Sequence, residues 1–207
     1  MSPVDLREIV GGGRAAVLTM ELQRGVVGDL SSFPELAAAV RDGAVLANTA
    51  RHLSRARAAG VPVVHCTAGF RPDRRGSPAN SPLITVMLRR PEHLVEGTAA
   101  VEIVPDIGPT LGDLVSHRRH GVSPFVGTTL DPTLRALGVT TVIATGVSLN
   151  LGIPGLCVEG VDLGYKVVVA TDAVAGVPGD YAQAMLRHTV SLVATLATVD
   201  EVTAAFS

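Results

Sequence analysis

The chain has 207 residues, 47% of them hydrophobic and 17% charged, with a formal net charge of −2. That balance gives neither the basic surface that nucleic acid requires nor the polybasic face that an anionic membrane attracts, and 3% aromatic content with no Trp argues against a base-stacking platform. No run of about 18 apolar residues would span a membrane and the N-terminus lacks a signal-peptide core, so a cytoplasmic protein with one domain over residues 1–207 is expected.

The first predicted strand is Ala15 to Leu22, apolar until Glu21, which places a carboxylate at the end of a buried strand. Leu36, Val40, Ala44, Ala47, Ala50 and Leu53 fall near helical spacing and predict one long helix from Pro34 to Ala59, stopped by Gly60. Val61 to Cys66 reads as the second strand. The proline-rich segment Thr67 to Pro91 reads as a loop, long enough to mark a functional or interface loop. A third strand is expected near Gly112 to Ser116, followed by His117-Arg118-Arg119-His120 and a helix that Thr129 or Asp131 would cap and Gly138 would end. Thr141 to Thr145 is a β-branched run that stops at Gly146, and Lys166 to Ala170 is the next strand after an intervening helix. A helix over Tyr181 to Val190, a sixth strand near Ala194 to Val199 and a short final helix complete the pattern.

Strands that alternate with helices predict an α/β three-layer sandwich with a mostly parallel six-stranded sheet, Rossmann-like in its crossovers. In such a sheet ligands bind outside the carboxyl ends of the strands. Glu21, His65 to Thr67, Arg118 with Arg119, and Gly146 to Gly152 should therefore converge on one edge. The two cysteines, Cys66 and Cys157, lack the spacing of a disulfide framework or a zinc site, and each sits in or beside an apolar segment, as buried free thiols do.

These segments resemble, in order, those of the isochorismatase-like hydrolase superfamily, which includes nicotinamidases, N-carbamoylsarcosine amidases and isochorismatases. AVLTMELQ is similar to the family's first strand, which normally ends Asp-x-Gln; Gln23 is kept and Glu21 stands where the Asp belongs. SHRRHGVSPFVGTTL resembles the lysine-containing segment that runs into Ser-x-Phe-x-Gly-Thr, with Ser123, Phe125, Gly127, Thr128 and Leu130 matching and Arg119 on the lysine, although an offset of one residue would put Arg118 there. TGVSLNLG resembles the turn that leads to the nucleophilic cysteine, and Gly152 falls on that cysteine. GYKVVVATDAVAG resembles the strand and Asp-Ala segment that follow.

The resemblance implies a site in which Glu21, Arg119 and Gly152 occupy the positions of an Asp-Lys-Cys triad, with Gln23, Arg118, Phe125, Thr128, Val147 and Ser148 binding substrate. Glycine has no nucleophile, so acyl-enzyme chemistry at position 152 is excluded. Isochorismatases proper are similar in carrying glycine there; a carboxyl group protonates their vinyl ether and water adds to the oxocarbenium ion. Glu21 would supply that carboxyl group, and an inward arginine would hold an anion or pair with Glu21. No Asp-x-His precedes His65, and His117 and His120 do not sit on a helix, so no metal and no cofactor is expected. Two readings follow. One is a hydrolase of a small anionic metabolite that needs no cysteine; the other is a catalytically silent relative that binds a metabolite or a protein. The resemblance also implies a homo-oligomer, a dimer or a tetramer, with a small-molecule substrate and neither nucleic-acid nor membrane partners.

Overall fold

The computed structural model describes residues 5–206. Helix α1 (Leu6–Val10) precedes strand β1 (Ala15–Met20), and helices α2 (Pro34–Asp42) and α3 (Val45–Ala58) lead to β2 (Val63–Ala68). Next come α4 (Pro82–Leu88), β3 (Leu114–Arg118), α5 (Leu130–Ala136), β4 (Thr141–Val147) and α6 (Gly152–Asp162). The remaining elements are β5 (Lys166–Ala175), α7 (Gly179–His188), β6 (Thr195–Ala197) and α8 (Val199–Thr203). Among the described residues, no helix is long and apolar enough to cross a membrane.

The six strands form one sheet in the order β3-β2-β1-β4-β5-β6, and every neighbouring pair is parallel. The chain winds outward from β1 to β3 and then returns to place β4 on the other side of β1. The crevice between the ends of β1 and β4 is thus the topological switch point, where sheets of this order bind ligands. Alternate residues supply two cores, as the period of a strand requires. Val17, Val63, Ile143 and Val168 face α2, α3 and α8, whereas Leu18, Val64, Ala144 and Val169 face α5, α6 and α7.

Among the boundaries that differ from the sequence expectation, four stand out. The long helix expected over Pro34 to Ala59 is broken at Ala44, whose left-handed φ of 51° interrupts the i→i−4 ladder and re-aims α3. The Thr67 to Pro91 loop contains α4, which starts where the Ser81 hydroxyl accepts from the Ile84 N–H and Pro82 opens the first turn. β3 lies two residues further along than expected, and β5 runs on to Ala175 past an irregularity opposite Ala144 and Gly146.

His52 on α3 is fully buried and stacks on the Phe206 ring at 5.8 Å. Among the described residues neither ring nitrogen has a hydrogen-bond partner. Burial pushes the imidazole down to about 4, against a smaller pull upward from Asp172. The fold therefore favours neutral His52, and this stabilisation is complete above the ordinary value near 6.5 and lost as the pH falls through about 4. Between pH 7.5 and pH 4 the loss should approach about 3 kcal/mol. Denaturant midpoints measured at both pH values should show that His52→Leu removes this part of the acid sensitivity.

Candidate active site

The chain leaves β1 at Met20, and Glu21 turns it with φ at 52°, in the region where a residue with a side chain is strained. Neighbouring backbone holds that turn: the Glu21 N–H donates to the Cys66 carbonyl (2.9 Å) and the Gln23 N–H to the Glu21 carbonyl (2.8 Å). The buried Gln23 amide then clamps the next strand, accepting from the Ala68 N–H and donating to the Ala68 and Val101 carbonyls, each at 2.8 Å. Both amide N–H groups and the amide oxygen are engaged by backbone, so Gln23 braces the turn that carries Glu21.

A cavity of about 690 Å³ opens beside Glu21 at the switch point. Its floor carries Glu21 and Arg118, and the turn after β4 contributes Ser148, Asn150, Leu151 and Gly152. The opposite wall comes from segments outside the expected site: Ser32, Phe33 and Leu36 at the start of α2, Leu83, Ile84 and Met87 on α4, then Arg90 and His93. For the α4 part of this wall, the sequence signals are the unusual length of the 67–91 segment and the Ser81-Pro82 helix start within it.

Arg118 and Arg119 go to different places, and strand alternation decides which. Ser116 and Arg118 turn inward along β3, while Val115 and His117 turn outward. The Arg118 side chain is 5% exposed; its Nη2 donates to Glu21 Oε1, and its Nε makes a long contact of 3.4 Å to the Gly121 carbonyl. Its Nη1 is buried and has no partner among the described residues. Arg119 lies past the end of the strand, half exposed, with its Nε donating to Glu96 Oε1 at 2.5 Å. The expectation of Arg119 at the site is therefore corrected: Arg118 faces Glu21, because β3 continues through Arg118 on the inward side that Ser116 shares, and Arg119 lies beyond it.

Three further expected residues lie away from the cavity. Phe125 stacks on Tyr165 at 6.0 Å and packs near Gly160, behind α6. Thr128 donates to the Pro124 carbonyl (2.6 Å) and accepts from the Leu130 N–H (3.2 Å), which braces the turn just before α5. Val147 is fully buried in the sheet core. Ser148 and Gly152 do line the cavity. A Cβ at position 152 would lie 3.1 Å from the Val147 carbonyl oxygen and 3.2 Å from Met20 Cε, so the helix starts tightly against β1 and β4.

Neither thiol lines the cavity, and burial pushes both Cys66 and Cys157 up to about 12. His65 is also outside it. Its Nδ1 meets Thr19 Oγ1 at 2.8 Å and its Nε2 meets Asp113 Oδ2 at 3.2 Å, while Arg57 grips Asp113 with two contacts of 2.7 and 3.0 Å. This hydroxyl–imidazole–carboxylate row is sealed in the sheet and ties β1, β2 and the approach to β3 together. Among the described residues, no three His, Cys, Asp or Glu side chains cluster as metal ligands would.

The cavity can thus hold a molecule with an electron-rich group against Arg118 and an apolar body against α2 and α4, with a carboxylate beside the anionic group. The Isochorismatase domain family model matches residues 15–201. The chain is 34% identical over 142 residues to a ureidoacrylate amidohydrolase RutB of Methylobacterium radiotolerans, which covers 63% of this chain but only 55% of that protein. It is 27% identical over 209 residues to the RutB of Pseudomonas savastanoi pv. phaseolicola, covering 94% of this chain and 84% of that one. Among solved structures, an isochorismatase family protein from Desulfovibrio vulgaris matches with a TM-score of 0.78 at 25% identity, covering 91% of this chain and 96% of the other. One from Burkholderia thailandensis matches with a TM-score of 0.77 at 26% identity, covering 94% and 96%.

Proposed function

The chain belongs to the isochorismatase family, and from that premise we propose that it is a hydrolase of small carboxylate metabolites that works without a thiol nucleophile. In this reading Glu21 moves the proton and Arg118 holds the substrate's negative charge. The observation that carries it is Arg118, which lines an open cavity together with Glu21 and whose buried Nη1 has no partner among the described residues. A buried guanidinium N–H with no acceptor is costly unless a ligand supplies one.

Two bond types fit this arrangement. For an amide, as in the substrate that the name of the RutB relatives implies, Glu21 takes a proton from water as the water attacks the carbonyl carbon, and returns it to the departing nitrogen. For an enol ether, Glu21 protonates the double bond to give an oxocarbenium ion, water adds and returns a proton to Glu21, and the hemiketal collapses with cleavage of its ether C–O bond into a carbonyl compound and an alcohol. Neither route needs a nucleophile at position 152, where glycine packs the start of α6 against β1 and β4.

The second reading, a silent family member that binds a metabolite or a protein, draws on one contact. Arg118 Nη2 already donates to Glu21, so the two charges satisfy each other. Assays of the purified chain with ureidoacrylate, isochorismate and other small carboxylates separate the two. Turnover of at least one is the expected result. Saturable binding of these carboxylates by a folded chain that hydrolyses none of them would instead favour the silent reading.

A further inference from the structure

The cavity has a second polar pole, made by residues that the proposed chemistry does not use. His93 lies on the wall formed by the segment after α4 and is 3% exposed. Its Nδ1 is engaged by Ser32 Oγ at 2.7 Å, while its Nε2 is buried and has no partner among the described residues. The ring is fixed from two sides, edge-on to Phe33 at 5.2 Å and tilted against Phe70 at 5.9 Å. Burial, then the charges of Arg90 and Arg74, push the imidazole down to about 4, so it stays neutral. Arg90 also lines the cavity, its guanidinium 5.0 Å from the centre of the Phe33 ring, and Arg74 donates to the His93 carbonyl at 3.2 Å. Two guanidinium groups beside a neutral imidazole make this pole attractive to an electron-rich acceptor and hostile to a cation.

Arg118 and His93 thus line one cavity, with Phe33, Leu83, Ile84 and Met87 as apolar wall, and each carries a buried nitrogen without a partner among the described residues, Nη1 and Nε2. We propose that the cavity selects a carboxylic acid that carries a second hydrogen-bond acceptor across an apolar body, with the carboxylate on Arg118 and the second acceptor on His93. The inference rests on the anion-holding role given to Arg118 above and adds the specificity-determining role of His93. A neutral imidazole donates from Nε2 when Ser32 donates to Nδ1, and a carbonyl or ether oxygen then completes the row.

Calorimetric titration of the full chain with three probes tests it. 4-Acetylbenzoate carries both groups, 4-ethylbenzoate only the carboxylate, and 4-methylacetophenone only the carbonyl. 4-Acetylbenzoate should bind about tenfold more tightly than either of the others, the scale of one buried hydrogen bond left unmade. In His93→Phe, which keeps a ring against Phe33 and Phe70, its advantage over 4-ethylbenzoate should shrink to within about twofold. The wild-type series stands even if that variant fails to fold. Equal binding of 4-acetylbenzoate and 4-ethylbenzoate, an advantage that survives in folded His93→Phe, or no binding of any probe would overturn the proposal. Equal binding of 4-acetylbenzoate and 4-methylacetophenone would remove the Arg118 pole and the proposal with it. Failure of every hydrolysis assay, with the expected probe ranking intact, would remove the enzymatic reading and leave this one standing.

Discussion

Glu21→Gln should lower kcat/KM by about 10²–10⁴-fold, the usual contribution of a positioned proton-transfer group, while the protein unfolds at nearly the wild-type denaturant concentration. The amide has the shape of the carboxylate, and its oxygen can still accept from Arg118 Nη2. The backbone turn at residue 21 is held by the Cys66 carbonyl and the Gln23 N–H, neither of which the substitution touches. What the variant lacks is a group that can take up and return a proton. A large fall in kcat with little change in substrate affinity is therefore the expected pattern, because Arg118 keeps its place. Steady-state kinetics beside equilibrium unfolding separates this from a loss of fold.

Gly146→Ala should destabilise the protein by about 3–5 kcal/mol, combining backbone strain with overpacking. Gly146 has φ at 105° and sits opposite Met20 in the β1–β4 ladder. A Cβ there would lie 2.3 Å from the Met20 carbonyl oxygen and 2.8 Å from the Met20 nitrogen, and backbone atoms cannot swing aside. Relief requires β1 and β4 to part at the point where Glu21 leaves the sheet, so the fold and the site should suffer together. Urea denaturation would show the loss as a lowered midpoint, and the residual folded fraction should show reduced turnover.

The sheet was legible because its strands are apolar runs bounded by glycine, and their alternation with helices leaves few topologies. Glu21 was legible for a simple reason: a carboxylate that ends an otherwise apolar strand of a parallel sheet lands beside the switch point. Arg118 and Arg119 were not separable, since a one-residue shift in the end of β3 exchanges the inward and outward side chains. Gln23, Phe125 and Thr128 carry the family's pattern yet serve the fold, through an amide clamp, a ring stack and a helix start. The far wall was hidden for the opposite reason. His93, Ser32 and Arg90 are distant from the strand ends in sequence, and they reach the cavity only because α2 and α4 fold over it.

Hydrolysis without a thiol is tested most directly by the intact mass of enzyme quenched during turnover. Cys66 and Cys157 both lie outside the cavity, and in the proposed reaction water attacks the substrate itself, so the protein mass should remain that of the free chain at every time point. A substrate-derived adduct mapped to Cys66 or Cys157 would contradict the role given to Glu21.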